Sequence, residues 1–237
     1  MTPRDAATIL IYEVRNGTPH IFMGQRQAST VFMPNRFVFP GGRVDPLDAT
    51  AADVGQPPSG HTVSLLCADL NGHRPIDQAK AIAMAAVRET FEEAGLVFGQ
   101  PSKTSPDKLI DAARKAGAVG ESWRAFTALG VTPDATPLTY FARAITPPGE
   151  TRRYDTRFFC AERRHVAFAT GENDGELGDL NWYAPDAISN LNVAPITSRV
   201  LRDFLDLHCA ADQSKLPVSV PLYHKQDGAF RRDVLSV

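Results

Sequence analysis

The chain has 237 residues, of which 43% are hydrophobic, so it can bury a sizeable core without dividing into two domains. Its formal net charge of -2 provides no global attraction for nucleic acid, so any site for phosphates must be local. No apolar run reaches membrane-spanning length, and the first ten residues lack the order of a signal peptide. Three isolated cysteines without metal-ligand spacing indicate reduced thiols. We therefore expect one cytoplasmic domain over 1–237, with neither nucleic acid nor membrane as a partner.

The N-terminal part of the chain predicts a β-hairpin. Apolar residues indicate strands at 6–13 and 20–26, and the pair Asn16 and Gly17 between them favours a tight turn. A further apolar strand runs into a Pro-Gly-Gly turn in the segment FVFPGGRVDP at 37–46. At such glycines the backbone can turn, and its carbonyl groups can approach a ligand closely.

The next part of the chain predicts a loop followed by a long helix. Residues of about 47–76 contain small and acidic residues, a QPPSG turn and the apolar stretch HTVSLLCADL, which favours a loop carrying one short packed helix. A helix is then expected from about Asp77 to Ala94, because Met84, Val87 and Phe91 form an apolar stripe. Gly95 suits the left-handed residue that ends a helix.

The second half of the chain predicts further helices and strands. Residues of about 104–130 have a capped start at Ser105 and Pro106 and favour an added pair of helices. A final helix is expected at Pro195–His208 from its apolar face. The tail at 213–237 has no period, and we expect it to wrap the surface or the partner subunit of a homodimer. Three strands lie between these helices, at 136–145, 155–162 and 177–184.

Three glutamates near the end of the long helix form the most informative cluster. Glu89, Glu92 and Glu93 have i, i+3, i+4 spacing, so their side chains leave one helix face within reach of each other. Gathering like charges is unfavourable without a cation, and Mg²⁺ or Mn²⁺ prefers carboxylate oxygens. The alternative is a solvated acidic helix face.

The two segments FVFPGG and RETFEEAGL together resemble the Nudix box, whose pattern is G, five residues, E, seven residues, REUxEExGU, with U aliphatic. Gly41 and Gly42 match its first half, but about 32 more residues separate Gly42 from Arg88 than the pattern allows. Counting back from Arg88, the first glutamate of the box falls at Lys80, so that acid is missing or comes from the insertion. The second half matches at Arg88, Glu89, Glu92, Glu93, Gly95 and Leu96, with Thr90 at an aliphatic position.

The resemblance implies an α/β Nudix fold, with a mixed β-sheet between α-helices, and hydrolysis of a nucleoside diphosphate linked to another moiety. It also implies that the three glutamates bind Mg²⁺ or Mn²⁺ or activate water. Arg88 would orient Glu89, and the carbonyl of Gly41 would add a ligand. Nudix sites often recruit another acid from a distant loop, and Glu176 best fits that place; the alternative is a solvated turn around Asp174 and Gly175.

Basic and aromatic residues supply candidates for substrate binding. A planar guanidinium suits bidentate contacts to phosphate, although arginines at strand ends more often form surface ion pairs. The candidate phosphate ligands are Arg26, Arg43, Arg143 and Arg157. The candidates for stacking a base, or alternatively for the core, are Phe32, Tyr154 and Trp182.

The split box also bears on the substrate. Together with FMPNRFVFPGG before it and ITPPGETRRYDTRFF after it, the box resembles that of coenzyme A and acyl-coenzyme A diphosphatases of animal mitochondria and peroxisomes. This resemblance favours coenzyme A or acyl-coenzyme A as the substrate. The alternatives are a nucleotide-sugar, dinucleotide or ADP-ribose diphosphatase, and a non-catalytic Nudix module that binds a ligand to regulate a partner.

Overall fold

The computed structural model describes residues 2–68, 70, 74–100, 122–208 and 217–236. Its strands are β1 (Arg4–Arg15), β2 (Thr18–Arg26), β3 (Phe37–Val38), β4 (Gly41–Arg43), β5 (Leu96–Val97), β6 (Gly99–Gln100), β7 (Thr132–Pro133), β8 (Thr139–Ile145), β9 (Tyr154–Glu162), β10 (Phe168–Ala169), β11 (Leu177–Tyr183), β12 (Ser219–Gln226) and β13 (Ala229–Ser236). Its helices are α1 (Pro46–Val54), α2 (Gly60–Cys67), α3 (Pro75–Ala94), α4 (Ser122–Ala128), α5 (Pro185–Ile188) and α6 (Pro195–His208). A single 3₁₀ turn at Arg163–His165 follows β9.

Nine of these strands form one mixed sheet in the order β11-β2-β1-β9-β8-β12-β13, to which β3 and β4 add at β2 and β1. The pairs β1–β9 and β8–β12 are parallel, and the other pairs are antiparallel. Alternate residues of β1 point to opposite faces: Ile9 and Ile11 pack with α3, whereas Leu10 packs with Phe204 of α6. The sheet therefore lies between helices, which confirms the expected architecture.

The first hairpin and the long helix agree closely with expectation. The turn between β1 and β2 has Asn16 and Gly17 at φ 50° and 78°, as a two-residue hairpin requires. The long helix begins two residues earlier than expected and ends at Ala94, where Gly95 has φ 65°. In the part of the chain that the structure describes, no helix is both long and apolar enough to cross a membrane.

The insertion contains two helices, so the expectation of one short helix is wrong. The unrecognised helix is α1, which begins with a capping box between Asp45 and Asp48 and with Pro46 in its first turn. The insertion is also bonded to the rest of the fold, since the backbone of Gln56 exchanges hydrogen bonds of 2.8 and 2.9 Å with Pro133 and Ala135. In the segment at 104–130, α4 confirms the second expected helix, and the first lies outside the described residues.

The C-terminal tail contains regular structure, although its sequence showed no period. Strands β12 and β13 form a hairpin, and β12 extends the sheet by pairing in parallel with β8. The turn between them is built like the first one, with Asp227 at φ 51° and Gly228 at φ 80°. The Asp-Gly pair was the local signal for this hairpin.

Candidate active site

Helix α3 brings the three glutamates to its C-terminal end. The apolar side of the helix packs on the sheet, where Met84 and Val87 are fully buried in one cluster with Ile9 and Ile11, and this packing fixes the position of the glutamates. Glu93 is only 2% exposed, and the Glu89 and Glu92 side chains are 14% and 25% exposed. The C-terminal end of a helix carries partial negative charge, so three carboxylates there are doubly unfavourable in the absence of a cation. The solvated acidic face that was the alternative does not describe these buried side chains.

Arg88 connects the glutamates to the insertion. Its guanidinium makes five hydrogen bonds, one for each N–H group that it has. One terminal nitrogen donates to Glu89 Oε1 at 2.9 Å and to Glu92 Oε2 at 2.8 Å. The other donates to the Arg43 carbonyl at 2.8 Å and to Asp48 at 3.1 Å, and Nε donates to Asp48 at 2.8 Å. The contact with Glu89 agrees with the orienting role that the Nudix resemblance implies for Arg88.

Asp48 is the acid that sequence reasoning missed. It lies on α1, inside the insertion, and is completely buried against Arg88. Five residues lie between Gly42 and Asp48, as the pattern requires, so Asp48 stands at the first acidic position of the box as an aspartate. Lys80 was the wrong position, because the extra residues follow this acid and counting back from Arg88 passes through them. The backbone of Asp45 and the indole of Trp123 also donate to Asp48.

Neither glycine of β4 has room for a side chain, because β1 lies against Gly41 and Glu89 of α3 lies against Gly42. The Gly41 N–H donates to Glu93 Oε2 at 2.7 Å. A Cβ atom on Gly42 would lie 2.5 Å from the carboxylate carbon of Glu89, and one on Gly41 would lie 2.5 Å from the carbonyl oxygen of Ala7. Strand β4 thus adjoins two of the three glutamates, while the role of the Gly41 carbonyl as a ligand remains a prediction.

The loop after β10 closes over the end of α3. Thr170 N–H donates to the Gly95 carbonyl, and Asp174 N–H donates to the Glu92 carbonyl, each at 2.8 Å. These bonds satisfy backbone groups that the end of the helix leaves free. The loop continues to Glu176, whose carboxylate lies 3.9 Å from the Arg26 guanidinium, and Arg26 lies 3.8 Å from Glu93. The structure therefore brings Glu176 to the glutamate cluster through a shared arginine.

Burial disfavours the ionised glutamates. It raises the pKa of Glu93 well above its ordinary value, and the charge of Glu89 adds to this effect. Burial also raises the pKa of Glu89 to about 7, although Arg88 partly opposes the shift. The pKa of Glu92 is raised for the same reason. A bound cation would stabilise all three carboxylates in their charged form.

The donor atoms fit a hard divalent cation, although they are not arranged as a ready cage. Across the described residues, no group of three or more His, Cys, Asp or Glu side chains is placed to hold a metal ion. One oxygen each of Glu89 and Glu92 accepts from Arg88, and one oxygen of Glu93 accepts from the Gly41 N–H. A metal would have to share these carboxylates with their present donors, using their second oxygens or displacing Arg88.

Known proteins resemble this chain in both sequence and structure. The acyl-coenzyme A diphosphatase NUDT19 of Gallus gallus is 30% identical, over 68% of this chain and 53% of that protein. The putative nudix hydrolase 7 of Caenorhabditis elegans is 29% identical, over 77% of this chain and 52% of that protein. The chain spans about half the length of these relatives. No family model matches it.

A solved NUDIX hydrolase from Alicyclobacillus acidocaldarius superposes with a TM-score of 0.61 and 26% identity, over 85% of this chain and 90% of that chain. The overlap includes nearly the whole of that structure, and the three glutamates of the second half of the box gather on one helix of this chain. The chain belongs to the Nudix hydrolase superfamily. In this chain helix α1 carries the first acid of the box, and helix α2 lies between that acid and the arginine.

The Nudix site divides the four candidate arginines into two groups. Arg26 contacts Glu93 and Glu176, and Arg43 is exposed beside the glycines, with its carbonyl bound to Arg88. These two lie beside the glutamates and Arg88.

Arg143 and Arg157 are instead buried in ion pairs with Asp155, and Arg157 also pairs with Asp5. Asp5 accepts a hydrogen bond from Gln78 of α3, eleven residues and about 16 Å along the axis before Glu89. The structure does not bring Arg143 and Arg157 to the glutamates. We exclude them from the proposed site, because phosphate could reach them only by breaking these pairs.

A pocket of about 360 Å³ adjoins the Nudix site. Arg26 and Glu176, which adjoin the glutamate cluster, line this pocket together with Phe32 and Arg152. The Phe32 ring meets that of Tyr154 edge to face at 5.2 Å. Trp182, by contrast, packs against Phe22 at 5.1 Å, so the core interpretation describes it better.

Proposed function

We propose that the chain is a divalent-metal-dependent Nudix diphosphatase, which hydrolyses the diphosphate of a nucleoside diphosphate linked to another moiety. The observation that carries this proposal is the buried cluster of Glu89, Glu92 and Glu93, each with a raised pKa. A role in stability would favour dispersed carboxylates, whereas metal-assisted hydrolysis requires them together. The names of the relatives, which are hydrolases and diphosphatases, support the same reaction class.

The three glutamates would hold Mg²⁺ or Mn²⁺, with the Gly41 carbonyl and Glu176 as further oxygen ligands. Such a cation stabilises negative charge on the phosphates and lowers the pKa of the attacking water. Glu89 takes the proton of that water in our proposal. Arg88 binds its Oε1 at 2.9 Å, so we assign proton transfer to Oε2. Water attacks one phosphorus atom, and a phosphomonoester leaves.

Two arginines have the placement needed for binding the diphosphate. Arg26 lies near both Glu93 and Glu176 and lines the pocket, and Arg43 is exposed next to the glycines. A guanidinium there would compensate phosphate charge that the glutamates repel. The pocket lined by Phe32 and Arg152 would then receive the group attached to the diphosphate.

We propose coenzyme A or acyl-coenzyme A as the favoured substrate. Support comes from the split box and from the similarity to the chicken protein named as an acyl-coenzyme A diphosphatase. The other candidates are a nucleotide sugar, a dinucleotide and ADP-ribose, since the box acts on the diphosphate that all of them share. A regulatory module without catalysis is less well supported, because the chain keeps all three REUxEE carboxylates and Asp48 supplies the first acid.

Hydrolysis assays with purified protein test this proposal. The substrates are coenzyme A, acyl-coenzyme A, NADH, ADP-ribose and dinucleoside polyphosphates, each with Mg²⁺ or Mn²⁺. We expect turnover that falls by at least about a hundredfold in Glu89→Gln and Glu93→Gln, as for loss of a general base or a metal ligand. Glu162→Gln is the matched control, because Glu162 pairs with Arg164 at the surface end of β9. Absence of wild-type turnover with every substrate would refute the diphosphatase and favour the regulatory module.

A further inference from the structure

We infer that Trp123 is a positioning residue for the proposed diphosphatase reaction. Its indole Nε1–H donates to Asp48 Oδ1 at 3.0 Å. Through Asp48 it holds Arg88, and through Arg88 it sets the carboxylates of Glu89 and Glu92. The inference rests on the proposed function and adds to it a residue that lies outside the Nudix box, on helix α4.

The first link is the complete hydrogen bonding of Asp48. Its Oδ1 accepts from Arg88 Nε at 2.8 Å and from Trp123. Its Oδ2 accepts from the Asp45 N–H at 2.8 Å and from Arg88 at 3.1 Å. Because Asp48 is fully buried, water cannot readily replace a lost donor. Without the indole N–H, Oδ1 would keep one partner, and the carboxylate would be free to turn toward Arg88.

The second link is the rigid guanidinium of Arg88. Its Nε and one terminal nitrogen bind Asp48, while the other terminal nitrogen binds Glu89 and Glu92. The group is planar, so a rotation that follows Asp48 also moves the nitrogen that binds the glutamates. A small movement at Asp48 is therefore transmitted to the oxygens that handle the metal and the water.

The third link anchors Trp123 to the same turn of α3. Its ring packs on Phe126 with centroids 5.3 Å apart, and Phe126 packs on Phe91 at 5.1 Å. Phe91 lies between Glu89 and Glu92 in the sequence and on the packed side of the helix. Phe91 follows Arg88 by three residues and is therefore its neighbour on the surface of α3, so these apolar contacts hold the indole beside the polar network that its N–H reaches. Contacts therefore join α1 to α3 through Asp48 and Arg88, α1 to α4 through Asp48 and Trp123, and α3 to α4 through Phe91 and Phe126.

Replacing only the donor separates positioning from packing. Trp123→Phe keeps an aromatic ring against Phe126 but loses the N–H. We expect its kcat to fall about tenfold with an unchanged KM, the order expected for one hydrogen bond to a buried charge. Trp182→Phe is the matched control, because Trp182 contacts Phe22 and Arg163 instead of Asp48. Wild-type kcat in Trp123→Phe would overturn the inference.

A second variant removes the effect of ring size. Replacing Trp123 by benzothienylalanine substitutes sulfur for the indole N–H in a ring of the same shape. We expect this variant to lose kcat as Trp123→Phe does. If it keeps wild-type kcat while Trp123→Phe does not, the residue acts by packing alone and the inference is wrong.

A spectroscopic measurement keeps this inference distinct from the proposed function. The indole N–H resonance of Trp123 is identified by its loss in Trp123→Phe. It should move when Asp48→Asn removes the charge of its acceptor, and an unmoved resonance would refute the contact. Wild-type protein that hydrolyses nothing would refute the diphosphatase, and with it the positioning role. Wild-type turnover with an unaltered Trp123→Phe kcat would refute the positioning role alone.

Discussion

Replacing Gly42 by alanine should remove activity while leaving the fold nearly intact. The added Cβ would lie 2.5 Å from the Glu89 carboxylate carbon, whereas ordinary contacts begin at 3.4 Å. The carboxylate must therefore retreat by roughly 1 Å, and misplacement of that size can cost about a hundredfold in rate. At 1.36 kcal/mol for each tenfold, this corresponds to about 2.7 kcal/mol of transition-state stabilisation.

The cost to stability should be small, because the group that must move is the free end of a flexible side chain. Gly42 does not have a positive φ, so alanine can adopt its backbone conformation. We expect the free energy of unfolding of Gly42→Ala to lie within about 1 kcal/mol of wild type.

The assay compares kcat/KM and denaturant unfolding for three alanine variants. Gly42→Ala should be inactive and stable. Gly41→Ala should be unstable, because its Cβ would meet backbone atoms of Ala7 and Thr8 instead of a side-chain end. Gly60→Ala, whose Cβ meets nothing within 4 Å, should match wild type in both measurements. Wild-type kcat/KM in Gly42→Ala would refute the assignment of Glu89 to the reaction.

Three further predictions follow from other parts of the structure. The pKa of Glu89 is raised to about 7 in the folded protein, so its stabilising contribution is complete below its unfolded value and is lost as pH rises through 7. The Tm of metal-free protein in chelator should fall as the pH rises from 5 to 8. Addition of Mg²⁺ should raise the Tm more at pH 8 than at pH 5, and a Tm independent of pH and metal would contradict this prediction. Arg157→Met should destabilise the fold by about 2 kcal/mol in urea titrations, because Asp5 loses its arginine and Asp155 keeps only Arg143; an unchanged midpoint would show that these ion pairs have no structural role. Gly228→Ala forces a positive φ on alanine and should cost about 1 kcal/mol in the same titration without changing kcat, whereas reduced activity would link the C-terminal hairpin to the site.

The part of the site on α3 could be predicted from the sequence, because its residues are close together in the chain. The i, i+3, i+4 spacing of the glutamates and the stripe of Met84 and Val87 require only helical periodicity. The hairpin at Asn16 and the glycine after α3 follow from backbone geometry in the same way. The C-terminal hairpin was equally local, since Asp227 and Gly228 marked its turn.

Other parts of the site depend on residues far apart in the sequence. The spacing from Gly42 could have identified Asp48 as the first acid of the box. Its pairing with Arg88, however, depends on the inserted helices folding back on α3. No spacing rule connects Trp123 to Asp48. The burial of Arg157 beside Asp5 likewise depends on the parallel pairing of β1 with β9, the two strands that carry them.

The sequence alone therefore determined which helix carries the three glutamates, and its resemblance to the Nudix box indicated the class of reaction. Tertiary structure alone decided which charges compensate one another: Asp48 with Arg88, Asp155 with Arg157, and Arg26 with Glu93 and Glu176. The physical reason is the distance over which each kind of interaction acts. Helical periodicity and turn conformation act over a few residues, whereas the energy of an ion depends on every charge and every layer of solvent near it in space.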